Sequence, residues 1–160
     1  MKVEEVREGS NLFRNFSIVH RFAKVYISGE LKRLGIENCH PPHIVMISAH
    51  KGISQEELAA KLRIDKGAIA KTISQMIKDG YVTKEQSSKD KRRYNLYLTQ
   101  KGEEIVPKLA KLQASFEEIL TEGMTEAEVE ALTSLLDKAS KNISAGTGKE
   151  KEGFANGQNT

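Results

Sequence analysis

The chain contains no tryptophan, and its aromatic residues make up only 6% of 160 positions. That scarcity, beside a charged fraction of 29%, fits a helical protein with much surface better than a β-sandwich. The single cysteine, Cys39, excludes an intrachain disulfide framework. No apolar run approaches the ~20 residues that cross a bilayer as a helix. The polar start MKVEEVREGS carries acidic residues and is not a secretory signal. A soluble cytoplasmic protein without membrane contact is the expectation, and no internal repeat divides it.

An apolar fraction of 38% is enough to bury a core, and the length suits one domain or a compact domain with helical extensions. The net charge of +3 is modest, but it is unevenly spread. From Lys51 to Arg93 there are eleven Lys/Arg against six Asp/Glu, a net of +5, which leaves −2 for the remainder. Positive charge gathered on one segment is the footprint expected of a nucleic-acid contact, although an ordinary solvated surface has the same composition.

Leu12, Phe16, Val19, Ala23, Ile27, Leu31 and Leu34 recur every three or four residues, which predicts an amphipathic helix from about Ser10, a plausible cap, to Leu34. Pro41 and Pro42 suit the opening of a second helix that runs to near Gly52. Ser54 with Glu57 forms a capping box for a short third helix, with Leu58 and Leu62 on its buried side. Asp65 caps a fourth helix whose stripe is Ile69, Ile73, Met76 and Ile77, and Gly80 stops it. Residues 81–86 and 93–98 are β-competent and flank the polar loop SSKDKR. Thr99 caps a fifth helix with Ile105, Leu109, Leu112, Phe116 and Ile119; Pro107 predicts a late start or a slight bend there. Thr125 with Glu128 opens a sixth helix carrying Val129, Leu132, Leu136, Ala139 and Ile143. The Gly-, Lys-, Glu- and Asn-rich stretch from Gly146 is expected to be disordered.

Two short capped helices, a glycine stop and a basic hairpin are the order of a winged helix-turn-helix. Away from its apolar stripe the fourth helix carries Lys66, Gly67, Ala68, Ala70, Lys71, Thr72, Ser74 and Gln75. Small residues at its start permit close approach to a groove. Lys71 and Gln75, one turn apart, are long donors that reach phosphates or base edges, with Gln75 suited to adenine. The loop contributes Lys89, Lys91, Arg92 and Arg93, and Asp90 is expected to shape it by pairing with Arg92 or Lys91. An arginine there suits a narrow minor groove.

The phrases DKGAIAKTISQMIKDGYV and DKRRYNLYLTQKG resemble the MarR family of small dimeric transcription regulators, over roughly residues 10–143. In that family an Asp-x-Arg on the wing matches Asp90 and Arg92, and a Leu-Thr-x-x-Gly matches Leu98, Thr99 and Gly102. The resemblance implies a mainly α (α+β) fold, a winged helix-turn-helix with N- and C-terminal dimerisation helices. It divides the chain into 1–40 (dimerisation helix and connector), 41–99 (DNA-binding domain), 100–145 (dimerisation helices) and a tail at 146–160. It implies that Arg92 enters the minor groove, that Lys71 touches DNA, and that the protein is a homodimeric repressor on a pseudo-palindromic double-stranded operator. The 4-3-4-3 spacing of the last two helices supports a dimer independently, while an intramolecular helical hairpin would use the same stripe.

The resemblance also implies release from DNA by a small anionic, often phenolic, effector in a crevice between the dimer helices and the winged domain; Phe16, His20, His43 and Ile47 are the candidate lining. No cofactor is required. Cys39, His40 and His43 are chemically suited to zinc, but the fifth helix lacks the histidines that zinc-sensing relatives supply. Redox sensing through Cys39 is a further alternative, placed after the first helix instead of near its start. Catalysis finds no support, because neither an orienting residue nor an oxyanion element accompanies Cys39 and its histidine neighbours. A winged-helix module used only for protein contacts would show no duplex affinity.

Overall fold

The computed structural model describes residues 11–86 and 93–146. Its elements in order are α1 (Leu12–Arg33), α2 (Pro41–Ala49), β1 (Ile53–Ser54), α3 (Gln55–Leu62), α4 (Lys66–Lys78), β2 (Val82–Gln86), β3 (Tyr94–Leu98), α5 (Gln100–Leu120) and α6 (Glu126–Gly146). Six helices and a three-stranded antiparallel sheet of order β1-β3-β2 give the expected mainly α fold with a wing.

Helix ends follow local chemistry. In the Ser54–Glu57 box the Glu57 carboxylate accepts from the Ser54 N–H at 2.9 Å, and the Ser54 hydroxyl accepts from the Glu57 N–H at 3.2 Å. The Thr125–Glu128 box at α6 has the same reciprocal form. At the start of α4, Asp65 Oδ1 accepts from the Gly67 and Ala68 N–H groups at 2.8 and 3.1 Å. A typical cap of this kind is worth about 1 kcal/mol.

The core lies between α2, α3, α4, the sheet and the first half of α5. Ile44, Ile47, Leu58, Ile69, Ile73, Met76, Val82 and Leu96 are fully enclosed, and Ile105 and Leu109 of α5 close one side. Strand β3 is central. Leu96 pairs with Ile53 of β1 and with Lys84 of β2, so its inward side chain sits at the middle of the sheet.

Several expectations are corrected. Ser10 lies outside the described residues, and the position before α1 is Asn11, whose side chain makes no cap. The amphipathic α1 is present as expected for an interface helix, and within the single chain only Leu31 is buried while Leu12, Phe16 and Val19 of its stripe are exposed. The second helix ends at Ala49, because residues 53–54 leave it to pair with β3, a two-residue strand too short to show as an alternating pattern. Pro107 does not delay α5, which starts at Gln100 under the Thr99 cap and runs through the proline. Gly146, assigned to the tail, closes α6; the tail beyond it lies outside the described residues.

The end of α4 and the start of α5 are joined by specific side-chain contacts. Gly80, at φ 76°, ends α4 with the Tyr81 N–H bonded to Met76 O and the Gly80 N–H bonded to Ile77 O. Two side chains at the start of α5 then bind the remaining carbonyls: Thr99 Oγ1 donates to Gly80 O at 2.6 Å, and Lys101 Nζ donates to Asp79 O at 2.7 Å. The Lys101 ammonium also lies 4.2 Å from the centre of the Tyr81 ring. Gly102 permits this approach, since a Cβ there would stand 2.3 Å from Tyr81 O. Gly102→Ala is expected to destabilise the fold by about 1–3 kcal/mol, the usual cost of overpacking against an unyielding group. Urea denaturation measures it, and an unchanged midpoint would show that the junction can spread.

Candidate nucleic-acid interface

Burial of Ile69, Ile73 and Met76 turns the opposite side of α4 outward. Lys66, Gly67, Ala68, Lys71, Ser74 and Gln75 are exposed along it, whereas Ala70 and Thr72 are half-buried at its edges. The helix start offers two glycine- and alanine-sized positions beside the Asp65 cap, so a polyanion backbone can come close there. Lys71 and Gln75 project one turn further on. The Gln75 Nε2 donates to Asp79 Oδ1 at 3.0 Å.

The wing strands carry Lys84, whose ammonium sits 4.9 Å from the centre of the exposed Tyr94 ring. Arg93, at the root of β3, is exposed. Its cation helps hold the Glu57 carboxyl below the usual carboxylate range, after the larger contributions of the Ser54 backbone and hydroxyl hydrogen bonds. Arg93 therefore lies toward the start of α3 and joins the wing electrostatically to the helix-turn-helix. Lys89, Asp90, Lys91 and Arg92 lie outside the described residues.

The four crevice candidates fall in two places. His43 and Ile47 are buried on α2, while Phe16 and His20 are exposed on α1 with their rings stacked at 6.4 Å. No hydrogen bond or ring contact joins the pairs among the described residues. His43 is only 7% exposed, and neither ring nitrogen has a hydrogen-bond partner among the described residues. Burial, and then the neighbouring His40 ring at 5.7 Å, push its pKa down to about 4.

The same desolvation drives the fully buried Cys39 thiol up to about 11, so the reactive thiolate is suppressed and the side chain acts in packing. Among the described residues no three His, Cys, Asp or Glu side chains converge as a metal-ligand set, so Cys39, His40 and His43 do not form one. No described helix is long and apolar enough to cross a membrane.

Comparison with known proteins settles the family. A MarR family sequence profile matches residues 44–94, from the middle of α2 to the start of β3. The helix-turn-helix transcriptional regulator BilQ of Clostridium symbiosum is 32% identical over 117 residues, covering 73% of this chain and 81% of that protein. The chain belongs to the MarR family. A MarR protein of Peptoclostridium difficile superposes with a TM-score of 0.77 at 30% identity, over 91% of this chain and 94% of its own. A putative MarR family regulator of Listeria monocytogenes, solved in complex with a 26mer DNA, superposes at 0.78 with 26% identity, covering 94% and 99% of the two chains. This is a DNA-binding transcriptional regulator with the MarR winged helix. The most specific phrases in its sequence were those of α4 and of the wing with its Leu-Thr-x-x-Gly. The Gln75–Asp79 bond was not foreseen, although the spacing of four on one helix was visible.

His43 yields a pH prediction with a definite sign. It is neutral in the folded chain, while the unfolded chain takes up a proton below its ordinary pKa of 6.5. Its contribution to stability is therefore complete above pH 6.5 and is lost as pH falls toward 4, at up to about 1 kcal/mol per pH unit. Chemical denaturation of wild type and His43→Leu across that range should show the difference in stability shifting toward the variant as pH falls. Parallel curves would mean that His43 is solvated or paired in solution.

Proposed function

We propose that the protein is a homodimeric repressor that binds a pseudo-palindromic operator through α4 and the wing and is released by a small organic effector. The observation that carries this reading is the apolar surface on the terminal helices. On α1, Phe13 and Phe22 are 82% and 61% exposed; on α6, which buries no residue, Leu135 and Ile143 are 64% and 59% exposed. Ile119, near the end of α5, is likewise exposed. An apolar surface spread over three helix ends exceeds the scattered apolar exposure of ordinary monomers and is characteristic of an interface. A helical hairpin within one chain leaves these residues in water, which favours a second copy as their cover.

Two-fold pairing sets two α4 helices toward successive major grooves about one helical turn apart. Lys66, Ala68, Lys71, Ser74 and Gln75 then face the groove, with Ala70 and Thr72 at its edges. Lys89, Lys91, Arg92 and Arg93 serve the phosphates and the minor groove, and Asp90 shapes the loop between them. Such binding releases counterions and weakens steeply with salt. The effector acts by preferring a dimer geometry whose α4 spacing no longer fits the operator, since equal preference for both geometries would shift nothing. The unpartnered His43, beside Ile47, supports a polar ligand contact at that end of α2, and a phenolic or anionic compound has the chemistry to meet it. The site of action is the cytoplasm, where the DNA is.

Leu136→Asp tests the dimer and its role together. Leu136 is exposed in the single chain, so the variant should fold, sediment as a monomer, and lose at least about 100-fold in affinity for a two-half-site operator. A wild-type chain that sediments as a monomer, or a Leu136→Asp chain that remains dimeric with full affinity, would contradict the reading.

A further inference from the structure

Asp79 is costly where it stands. It occupies the C-terminal end of α4, where the helix dipole disfavours a negative charge. Its Oδ2 is buried without a hydrogen-bond partner. No cation neutralises the carboxylate directly among the described residues, for Lys101 Nζ reaches the Asp79 main-chain oxygen instead. The carboxylate's one hydrogen bond there is from the amide of Gln75, at 3.0 Å.

That bond determines which way the amide faces. The nitrogen must be the atom beside Asp79, because the reversed amide would set its oxygen against a carboxylate. A primary amide has two N–H hydrogens. Donation to Asp79 uses one of them; when it is the hydrogen anti to the oxygen, the syn hydrogen and the oxygen are left together as a donor–acceptor edge. In the major groove adenine presents an N7 acceptor beside an N6 donor, and this edge matches both; guanine presents two acceptors, and its O6 would oppose the amide oxygen. We propose that Asp79 is a positioning residue for base readout, holding the Gln75 amide in the orientation that reads adenine. The α4–α5 junction keeps Asp79 in place, with Lys101 on its carbonyl and the Gly80 turn behind it. The inference rests on the proposed seating of α4 in the major groove.

The test uses the full-length protein and duplexes selected for tight binding, with the Gln75-contacted pair then changed to each of the four pairs. Wild type should favour A·T over G·C there by on the order of tenfold, and Gln75→Ala should lose that ratio. Asp79→Asn keeps the shape but lets the amide turn either way, so it should lower the ratio toward that of Gln75→Ala while leaving salt dependence and dimerisation unchanged. On the Gln75→Ala background Asp79→Asn should do nothing more. If Asp79→Asn keeps the wild-type ratio, or weakens all four duplexes equally, while Gln75→Ala abolishes the preference, the positioning role is wrong and the groove assignment stands. If Gln75→Ala itself retains the ratio, base reading by Gln75 fails and the positioning role falls with it.

Discussion

The structure turns on the junction that ties the end of α4 to the start of α5. Four chemical conditions meet within a few residues: a left-handed glycine at Gly80, a hydroxyl at Thr99, an ammonium at Lys101 and the lack of a side chain at Gly102. Together they bond the carbonyls of Asp79 and Gly80, the two residues that follow α4, to side chains at the start of α5. Helix ends of this kind otherwise turn to solvent. Here the end of α4 is tied to the start of α5 by these side-chain contacts. The phrase Leu-Thr-x-x-Gly, first noted as a family resemblance, has its physical reason in this joint.

The consequence is mechanical. The buried core of the winged unit ends at Ile105 and Leu109, early in α5, and the remaining turns of α5 carry the chain toward α1, where Tyr26 and Phe116 meet at 5.8 Å between ring centres. On the proposed dimer, whatever covers the exposed apolar faces of α1, α5 and α6 is linked through α5 to the position of α4. The proposed effector would act by altering that cover by a small angle and so the distance between the two α4 helices. Packed interfaces favour discrete arrangements over continuous bending, which suits an on–off response.

The parts of the fold that were legible in the sequence are those governed by local chemistry. Both capping boxes, the Asp65 cap, the Gly80 stop and the apolar stripe of α4 depend on residues within one or two turns of each other, and the structure has them all. The misses share the opposite property. Strand β1 exists only because β3, some forty residues on, offers it partners. The stripe along α1 is no such miss: it has the expected period, and its exposure within the chain fits a helix assigned to a dimer interface, since periodicity says that a face is apolar and not which molecule covers it. Pro107 is tolerated because the Thr99 cap and the packing of Ile105 and Leu109 fix α5 around it. In the candidate site, the outward residues of α4 could be read directly from the helical period, whereas Asp79 drew no notice, since a carboxylate near a helix end is common and its value lies in what it holds.

On the proposed function, two copies of this chain read DNA as a symmetric pair. The most direct measurement is unbiased selection of bound duplexes, followed by the mass of the protein–DNA complex on the selected sequence. A symmetric dimer should select a pseudo-palindrome with half-site centres about 10 base pairs apart, bound by two chains. A single half-site bound by one chain, or selected duplexes with no repeated element, would contradict it.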